Sequence, residues 1–435
     1  MSETPQSAYA ALRAAQRQEP LEPERRRALL RRLRTLLLDR RADLVTALDA
    51  DFGGRNAIET LLAEVLAVCR ALDLNRRRLR RWARPRRAGV PLPFWPARAQ
   101  VVPRPKGVVG ILAPWNYPAQ LSLWPLADAL AAGNRAAVKL PEATPRTAAL
   151  LAELLRELDP TVVRAVEGGA EVAAAFAGLP WDHLFYTGST RVAVEVLRAA
   201  APNLTPTTLE LGGKCPVVVT ADADLPQAAA AVLRGKLLNG GQTCLAPDTV
   251  LLVGLTSEAF IGACREALAG LQPLDDVTRP LRPRPQPQGG VALGPLRLVP
   301  DPPSDSPLLR EEIFGLELPL LGLRDLDGAL DWIAERPAPL SIYYFGRDEV
   351  AWGRLRRETR SGALVRNATV LQGAMEGVPF GGVGASGFGR YHGEAGFRTF
   401  SDLRTEVRFP RRYLARLLER PYGRRTRALL ERLLR

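Results

Sequence analysis

In the stretch Leu238-Asn239-Gly240-Gly241-Gln242-Thr243-Cys244-Leu245-Ala246-Pro247-Asp248, a cysteine stands among residues that could make it a nucleophile. The Gly-Gly pair lets backbone approach closely. Asn239 and Gln242 bring amide donors and acceptors, and Pro247 stiffens the exit. Surroundings that lowered the thiol pKa would give a thiolate suited to covalent catalysis. A lone cysteine is more commonly a small buried hydrophobe, so the rest of the chain has to decide. A second chemical position is Thr187-Gly188-Ser189-Thr190, which follows the apolar run from His183 to Tyr186 and opens a helix. The backbone N–H groups and dipole of such a helix start favour a phosphate. Of 60 basic residues only Lys106, Lys139, Lys214 and Lys236 are lysines. A compact ammonium on a flexible stem therefore looks retained at those four places.

The elements that must hold these residues alternate. Val108 to Leu112, Ala136 to Lys139, Thr161 to Val166 and His183 to Tyr186 read as strands. Leu121 to Ala132 and Pro145 to Leu158 read as helices between them. Repeated βαβ units predict a parallel, doubly wound sheet. No G-x-G-x-x-G is present, so a dinucleotide would be held in another way than on the usual Rossmann turn. Val217 to Val219 begins a second α/β unit that contains Cys244 and the strand Thr249 to Val253. Upstream, Arg25 to Gly54 reads as a helix stopped by Gly-Gly, and Ile58 to Leu74 as a second amphipathic helix. Leu271 to Pro307 turns to Pro, Arg, Gly and Gln and reads as a loop or partly disordered insert. The tail after Arg411 reads as two short basic amphipathic helices split at Pro421.

The 435 residues allow two or three domains, and 46% hydrophobic with 24% charged residues fits a globular protein. Four cysteines without metal-ligand spacing argue against a disulfide framework and for a reducing, cytoplasmic setting; no metal is expected. No run nears the ~18 apolar residues of a membrane span. The net charge of +14 includes eight arginines between Asn75 and Arg87. A solvated helix face explains that run better than a nucleic-acid surface, since no stacking platform or zinc ligands accompany it. The basic tail could lie on an anionic membrane; docking on a partner subunit is the favoured reading.

The blocks PWNYP, KLPE, FYTGST, TLELGGK, NGGQTCLAPD, EEIFG and PFGGVGASGFGRYHG occur in one order across nearly the whole chain. In that order they resemble the aldehyde dehydrogenase superfamily. PWNYP, YTGST and GRYHG resemble its class 3 and coniferyl-aldehyde branch. The resemblance implies an α/β fold of two doubly wound parallel-sheet domains with a small bridging and oligomerisation element. It implies NAD(P)-dependent oxidation of an apolar or aromatic aldehyde to its acid. Cys244 would attack the aldehyde, Asn116 would hold the oxyanion, and Glu210 would activate water against the thioester. Lys139 and Glu142 would meet the adenosine ribose and Ser189 the pyrophosphate, with Gly188 and Trp115 also among the cofactor-binding residues. Glu312 and Phe314 would meet the nicotinamide ribose. Glu142 beside a 2′-hydroxyl favours NAD, with NADP possible. A homodimer is implied, and His392 is expected to be structural.

The resemblance implies an NAD(P)-binding domain over 1–85 and 105–209 and a catalytic domain over 210–395. Residues 86–104 and 396–435 would form the bridging element and tail. The interval between Cys244 and Glu311 is short, its Arg/Pro-rich middle near 272–306 matches nothing in the family, and a surface helix is expected to be missing. Pro141 stands where serine is common and Leu316 where proline is usual. Leu371 to Gly377 is expected to border the substrate tunnel. Two alternatives remain open: a catalytically decayed binding protein of this fold, and a CoA-acylating semialdehyde dehydrogenase. Glu210 argues against the second, which has no use for a base that activates water.

Overall fold

The structure is a computed structural model and describes residues 3–271, 274–282, 289–413, 415–416, 419–420 and 422–434. One sheet is built from β3 (Val108–Leu112), β4 (Arg135–Lys139), β5 (Val163–Val166), β6 (His183–Gly188) and β7 (Thr207–Leu211). Its order is β15-β7-β6-β3-β4-β5, all parallel except β15 (Gly387–Phe388), which runs antiparallel to β7. Every residue of β3 and β4 is buried, as expected for parallel strands covered on both faces. Helices 57–82, Pro118–Ala132 and Pro145–Leu158 bury one face against Ile111 and Val138. Helix Pro5–Gln18 and Ala170–Ala177 cover the other with Leu12 and Phe176. This sheet is doubly wound, and its strand order reverses between β3 and β6. At such a reversal the loops after neighbouring strands diverge and leave a crevice.

The second sheet has the order β10-β11-β12-β9-β8-β13-β14. It joins β8 (Pro216–Thr220), β9 (Thr249–Val253), β12 (Glu317–Leu323), β13 (Ser341–Phe345) and β14 (Ala363–Arg366), all parallel. β10 (Val291–Leu293) and β11 (Leu296–Pro300) form an antiparallel hairpin at its edge. A third sheet pairs β1 (Arg86–Ala88), β2 (Arg98–Pro105) and β16 (Ser401–Arg408) antiparallel.

Four sequence expectations change. Arg25 to Gly54 is two helices, Pro23–Asp39 and Arg41–Phe52, because Arg40 leaves helical geometry at ψ 12°. The second helix runs on to Trp82, eight residues beyond Leu74, and carries a π-helical segment, Thr60–Leu66, after its first turn. The insert is not wholly loop, since β10 and β11 lie within it; a two-residue turn with Gly294 at φ +58° joins them. Residues 283–288 and 272–273 lie outside the described residues. Among those described, no helix lies between Ala269 and Pro307. Finally, β15 pairs with β7 and Phe397 and Phe400 pack in the first sheet's core. A boundary at residue 395 therefore cuts through one packed unit. Of the two tail helices, Arg424–Leu433 is present, and the segment before Pro421 falls partly outside the described residues.

Candidate active site

The crevice at the β3–β6 reversal is a cavity of about 350 Å³ lined by Trp115, Asn116, Gly188, Ser189, Glu210, Cys244, Glu312 and Phe314. Trp115 and Asn116 come from the turn after β3, and Gly188 and Ser189 from the end of β6. Ser189 caps helix Thr190–Ala200, its hydroxyl accepting from the Val192 N–H. Glu210 stands near the end of β7. Cys244 and Glu312 precede β9 and β12, so the N-terminal edge of the second sheet faces the C-terminal edge of the first.

The Cys244 loop is held by backbone geometry that few residues could adopt. Asn239, Gly240 and Gly241 have φ of +52°, +61° and +75°. A Cβ on Gly240 would strike the Thr278 carbonyl, and one on Gly241 the Gly315 carbonyl. The glycine pair thus admits the insert and the EEIFG segment, not a group beside the sulfur. The amides lock the same loop. Asn239 Nδ2 donates to the Asn116 carbonyl at 3.0 Å. Gln242 Nε2 donates to the Asn239 carbonyl at 2.8 Å, and its Oε1 accepts from the Leu281 N–H at 2.7 Å. The Cys244 and Leu245 carbonyls accept from Cys215 Sγ (3.3 Å) and the Tyr343 hydroxyl (2.7 Å).

Asn116 is buried and spends one amide hydrogen on the Gln242 carbonyl at 3.0 Å. Its second amide hydrogen is available on the cavity wall. Beneath it lies an ion pair without solvent exposure: Arg55 Nη2 meets Glu64 Oε1 at 2.9 Å, and Arg55 Nη1 donates to the Asn116 carbonyl at 3.0 Å. Glu64 Oε2 accepts from the Gln120 N–H at 2.7 Å. Neither Arg55 nor Glu64 is among the candidate site residues that the sequence names.

Charge in the site departs from the sequence expectation. Burial first, and then the nearby charges of Glu210, Glu312 and Cys215, push the Cys244 thiol well above its ordinary value. The expected lowering would need a cation close by, and here two carboxylates stand instead. Glu210 is itself raised to about 8, by burial and then by Glu312, and its Oε1 has no hydrogen-bond partner among the described residues. Glu312 is raised to about 7 by burial, against the opposing N–H of Gly213 at 3.1 Å. Gly212 leaves the space that the Glu312 carboxylate enters.

The segment carrying Glu312 is clamped by a nearly buried pair. Lys214 Nζ bonds Asp248 and donates to the carbonyls of Leu308 (2.7 Å) and Glu311 (3.0 Å), while Asp248 Oδ2 accepts from the Ile313 N–H (2.8 Å). Phe314, at φ +49°, presents its ring to Trp115 edge-on at 5.6 Å. Lys139 and Glu142 stand apart from the cavity lining, at the end of β4, and pair with each other at 2.5 Å. Burial opposes the Glu142 charge, but the Lys139 bond and positive neighbours, Arg282 included, leave its pKa lowered. Arg282, from the insert, lines the cavity and lies over Trp115 at 5.4 Å. Nothing in its Pro/Arg-rich surroundings marked it in the sequence.

Cys244 also lines a second cavity, of about 420 Å³, walled by Leu62, Leu66, Tyr117, Leu121, Leu245, Leu371, Ala374, Phe380 and Tyr391. His392 lies on this wall, stacked on Trp124 with ring centroids 3.8 Å apart. A profile of the Aldehyde dehydrogenase family matches residues 2–296 and 279–405.

The chain belongs to the aldehyde dehydrogenase family. Over 98% of its length it is 41% identical to a probable coniferyl aldehyde dehydrogenase of Pseudomonas aeruginosa, covering 95% of that protein. It is 35% identical to the 4,4'-diaponeurosporen-aldehyde dehydrogenase of Staphylococcus aureus over 88% of each chain. A substrate-bound Staphylococcus aureus AldH structure superposes with a TM-score of 0.92 over 99% of both chains, at 31% identity. An indole-3-acetaldehyde dehydrogenase holding NAD+ superposes at 0.83, with 25% identity, over 93% of this chain and 89% of that one. The fold of this aldehyde dehydrogenase is thus that of its family, with the coniferyl branch among its relatives. Among its described residues no helix is long and apolar enough to cross a membrane.

Proposed function

We propose that this aldehyde dehydrogenase oxidises apolar aldehydes, aromatic or of medium chain, to carboxylic acids with NAD, and with NADP as a possible substitute. The observation that carries this reading is the position of Cys244 between two unlike cavities. One is mixed, with a helix N-terminus at Ser189 and a carboxylate at Glu312 beside aromatic side chains; the other is largely apolar. The first suits a dinucleotide, because Ser189 and the N–H groups behind it favour its phosphates and Glu312 can accept from a ribose hydroxyl. Lys139 and Glu142 would take the adenosine ribose. A nicotinamide held there would supply the hydride acceptor.

The chain's own residues do the rest. Cys244 Sγ forms the bond to the aldehyde carbon that approaches through the apolar cavity. The free amide hydrogen of Asn116 and the Cys244 N–H hold the developing oxyanion, as fixed dipoles that need no reorientation. The partnerless Glu210 oxygen then takes a proton from the water that hydrolyses the thioester. A subunit of 435 residues with apolar side chains on β16 and after it (Leu403, Val407, Phe409) is taken to work as a homodimer through the third sheet. Binding of nucleic acid is not part of this reading.

The test is formation of reduced nicotinamide by purified protein with aliphatic and aromatic aldehydes, beside Cys244→Ala. Turnover abolished by the substitution supports the thiol mechanism. Folded protein that binds NAD and oxidises none of the aldehydes overturns the reading.

A further inference from the structure

The apolar cavity has a charged lip. Thr243, Tyr391 and His392, beside Cys244, are buried and form its closed end. At the open end Leu62 and Leu66 are 56% and 44% exposed, and Leu371 is 63% exposed. Leu62, Leu66 and Arg70 follow at intervals of four on helix 57–82, which places them along one face. That face is an apolar ladder ending in a guanidinium.

Arg70 is exposed, lines the cavity and has no carboxylate partner among the described residues. Farther along the helix Arg76 pairs with Asp73 and Arg80 with Glu24; what sets Arg70 apart from the helix's other arginines is its place on the cavity lining. The other charged group of this wall, Glu59, is already engaged, its Oε2 accepting from the Asn239 N–H and the Thr278 hydroxyl at 2.9 Å each. The cavity therefore offers a distal group one open cation at the end of an apolar path.

Resting on the aldehyde-oxidation reading above, we propose that Arg70 selects aldehydes whose far end carries a carboxylate, that is, medium-chain ω-oxo carboxylic acids. A planar guanidinium presents paired N–H donors that match a carboxylate's two oxygens. The apolar chain covers Leu62 and Leu66 while the aldehyde carbon reaches Cys244. The chemistry is unchanged: the aldehyde C–H leaves as hydride to the nicotinamide, water supplies the second oxygen, and protons go to solvent. The product is an α,ω-dicarboxylate.

The experiment compares kcat/KM for a medium-chain ω-oxo carboxylate, its methyl ester and benzaldehyde, in wild type, Arg70→Gln and Arg70→Glu. Benzaldehyde reports the amount of active enzyme, and thermal melting reports folding. Wild type is expected to favour the carboxylate over the ester by about fivefold, the size of a partly exposed charge pair. The preference should lie in KM, because the pair exists equally in ground and transition state, and should shrink as salt is added. Arg70→Gln should remove it and Arg70→Glu should reverse it. A wild type that oxidises benzaldehyde but does not distinguish acid from ester overturns the proposal. So does a preference that survives in both variants. If none of the three aldehydes is oxidised, the oxidation reading fails and takes this one with it.

Discussion

Burial and two carboxylates oppose ionisation of the Cys244 thiol, which has to lose its proton to attack an aldehyde. Glu210 has the complementary problem: at about 8, its carboxyl is largely protonated at neutral pH and cannot accept a proton from water. The sign of the pH dependence follows. Raising pH through 8 ionises Glu210, so thioester hydrolysis should accelerate between about pH 7 and 9. Rapid-quench measurement of acyl-enzyme should show accumulation at the lower pH and its disappearance at the higher. Glu210→Gln should flatten that limb and slow steady-state turnover by roughly 10²–10⁴-fold. It should spare the first burst of reduced nicotinamide. Asn116→Ala should lower kcat by about 10²–10³-fold, the usual cost of one oxyanion donor.

At the scale of elements, the candidate site is held by ion pairs that no single motif reveals. The Arg55–Glu64 pair joins the loop after Phe52 to the π-helical segment and supports the Asn116 carbonyl. Burial pushes the Glu64 carboxyl up, against the Arg55 charge. Arg55→Met leaves an uncompensated buried carboxylate, which typically costs about 3–5 kcal/mol. Urea denaturation should show a loss of that size, and the residual folded enzyme should have a reduced kcat because the Asn116 carbonyl keeps only the Asn239 donor. The Lys214–Asp248 clamp plays the equivalent part for Glu312. Lys214→Met should weaken NAD binding, measured by calorimetry, more than it changes kcat with saturating cofactor.

For the whole molecule, the two histidines set an acid limit. His183 and His392 are both held near 3 by burial, against an ordinary value of 6.5. The folded state therefore binds fewer protons than the unfolded one between those values. Stability contributed above pH 6.5 is lost as pH falls toward 3, at up to ~1.4 kcal/mol per pH unit for each histidine. His392→Phe keeps the stack on Trp124 and should make the decline of denaturation free energy between pH 6.5 and 5 shallower. In the third sheet, β16 pairs β2 along eight residues while Leu403 and Val407 stay 52% and 47% exposed. Glutamate at both positions should convert a dimer to monomers in analytical ultracentrifugation; a wild-type monomer would contradict the homodimer.

The sequence by itself determined the alternation of elements and named the candidate reacting groups. Strand residues such as Val108 to Leu112 must bury both faces, and Cys244, Glu210 and Asn116 sit in blocks whose order admits one family. It also led to the expectation that Leu371 to Gly377 borders a substrate tunnel, and Leu371, Gly373 and Ala374 line the apolar cavity proposed for the aldehyde. It could not show that the glycine pair beside Cys244 accommodates the Thr278 and Gly315 carbonyls, or that Arg282 from the Pro/Arg-rich insert, which the family profile does match, reaches Trp115. Nor could it give the direction of the Cys244 shift. Those features arise where chain segments far apart in sequence come into contact. Burial and electrostatic coupling depend on distances that only the tertiary structure fixes, whereas periodicity and motif are local and survive in the linear chain.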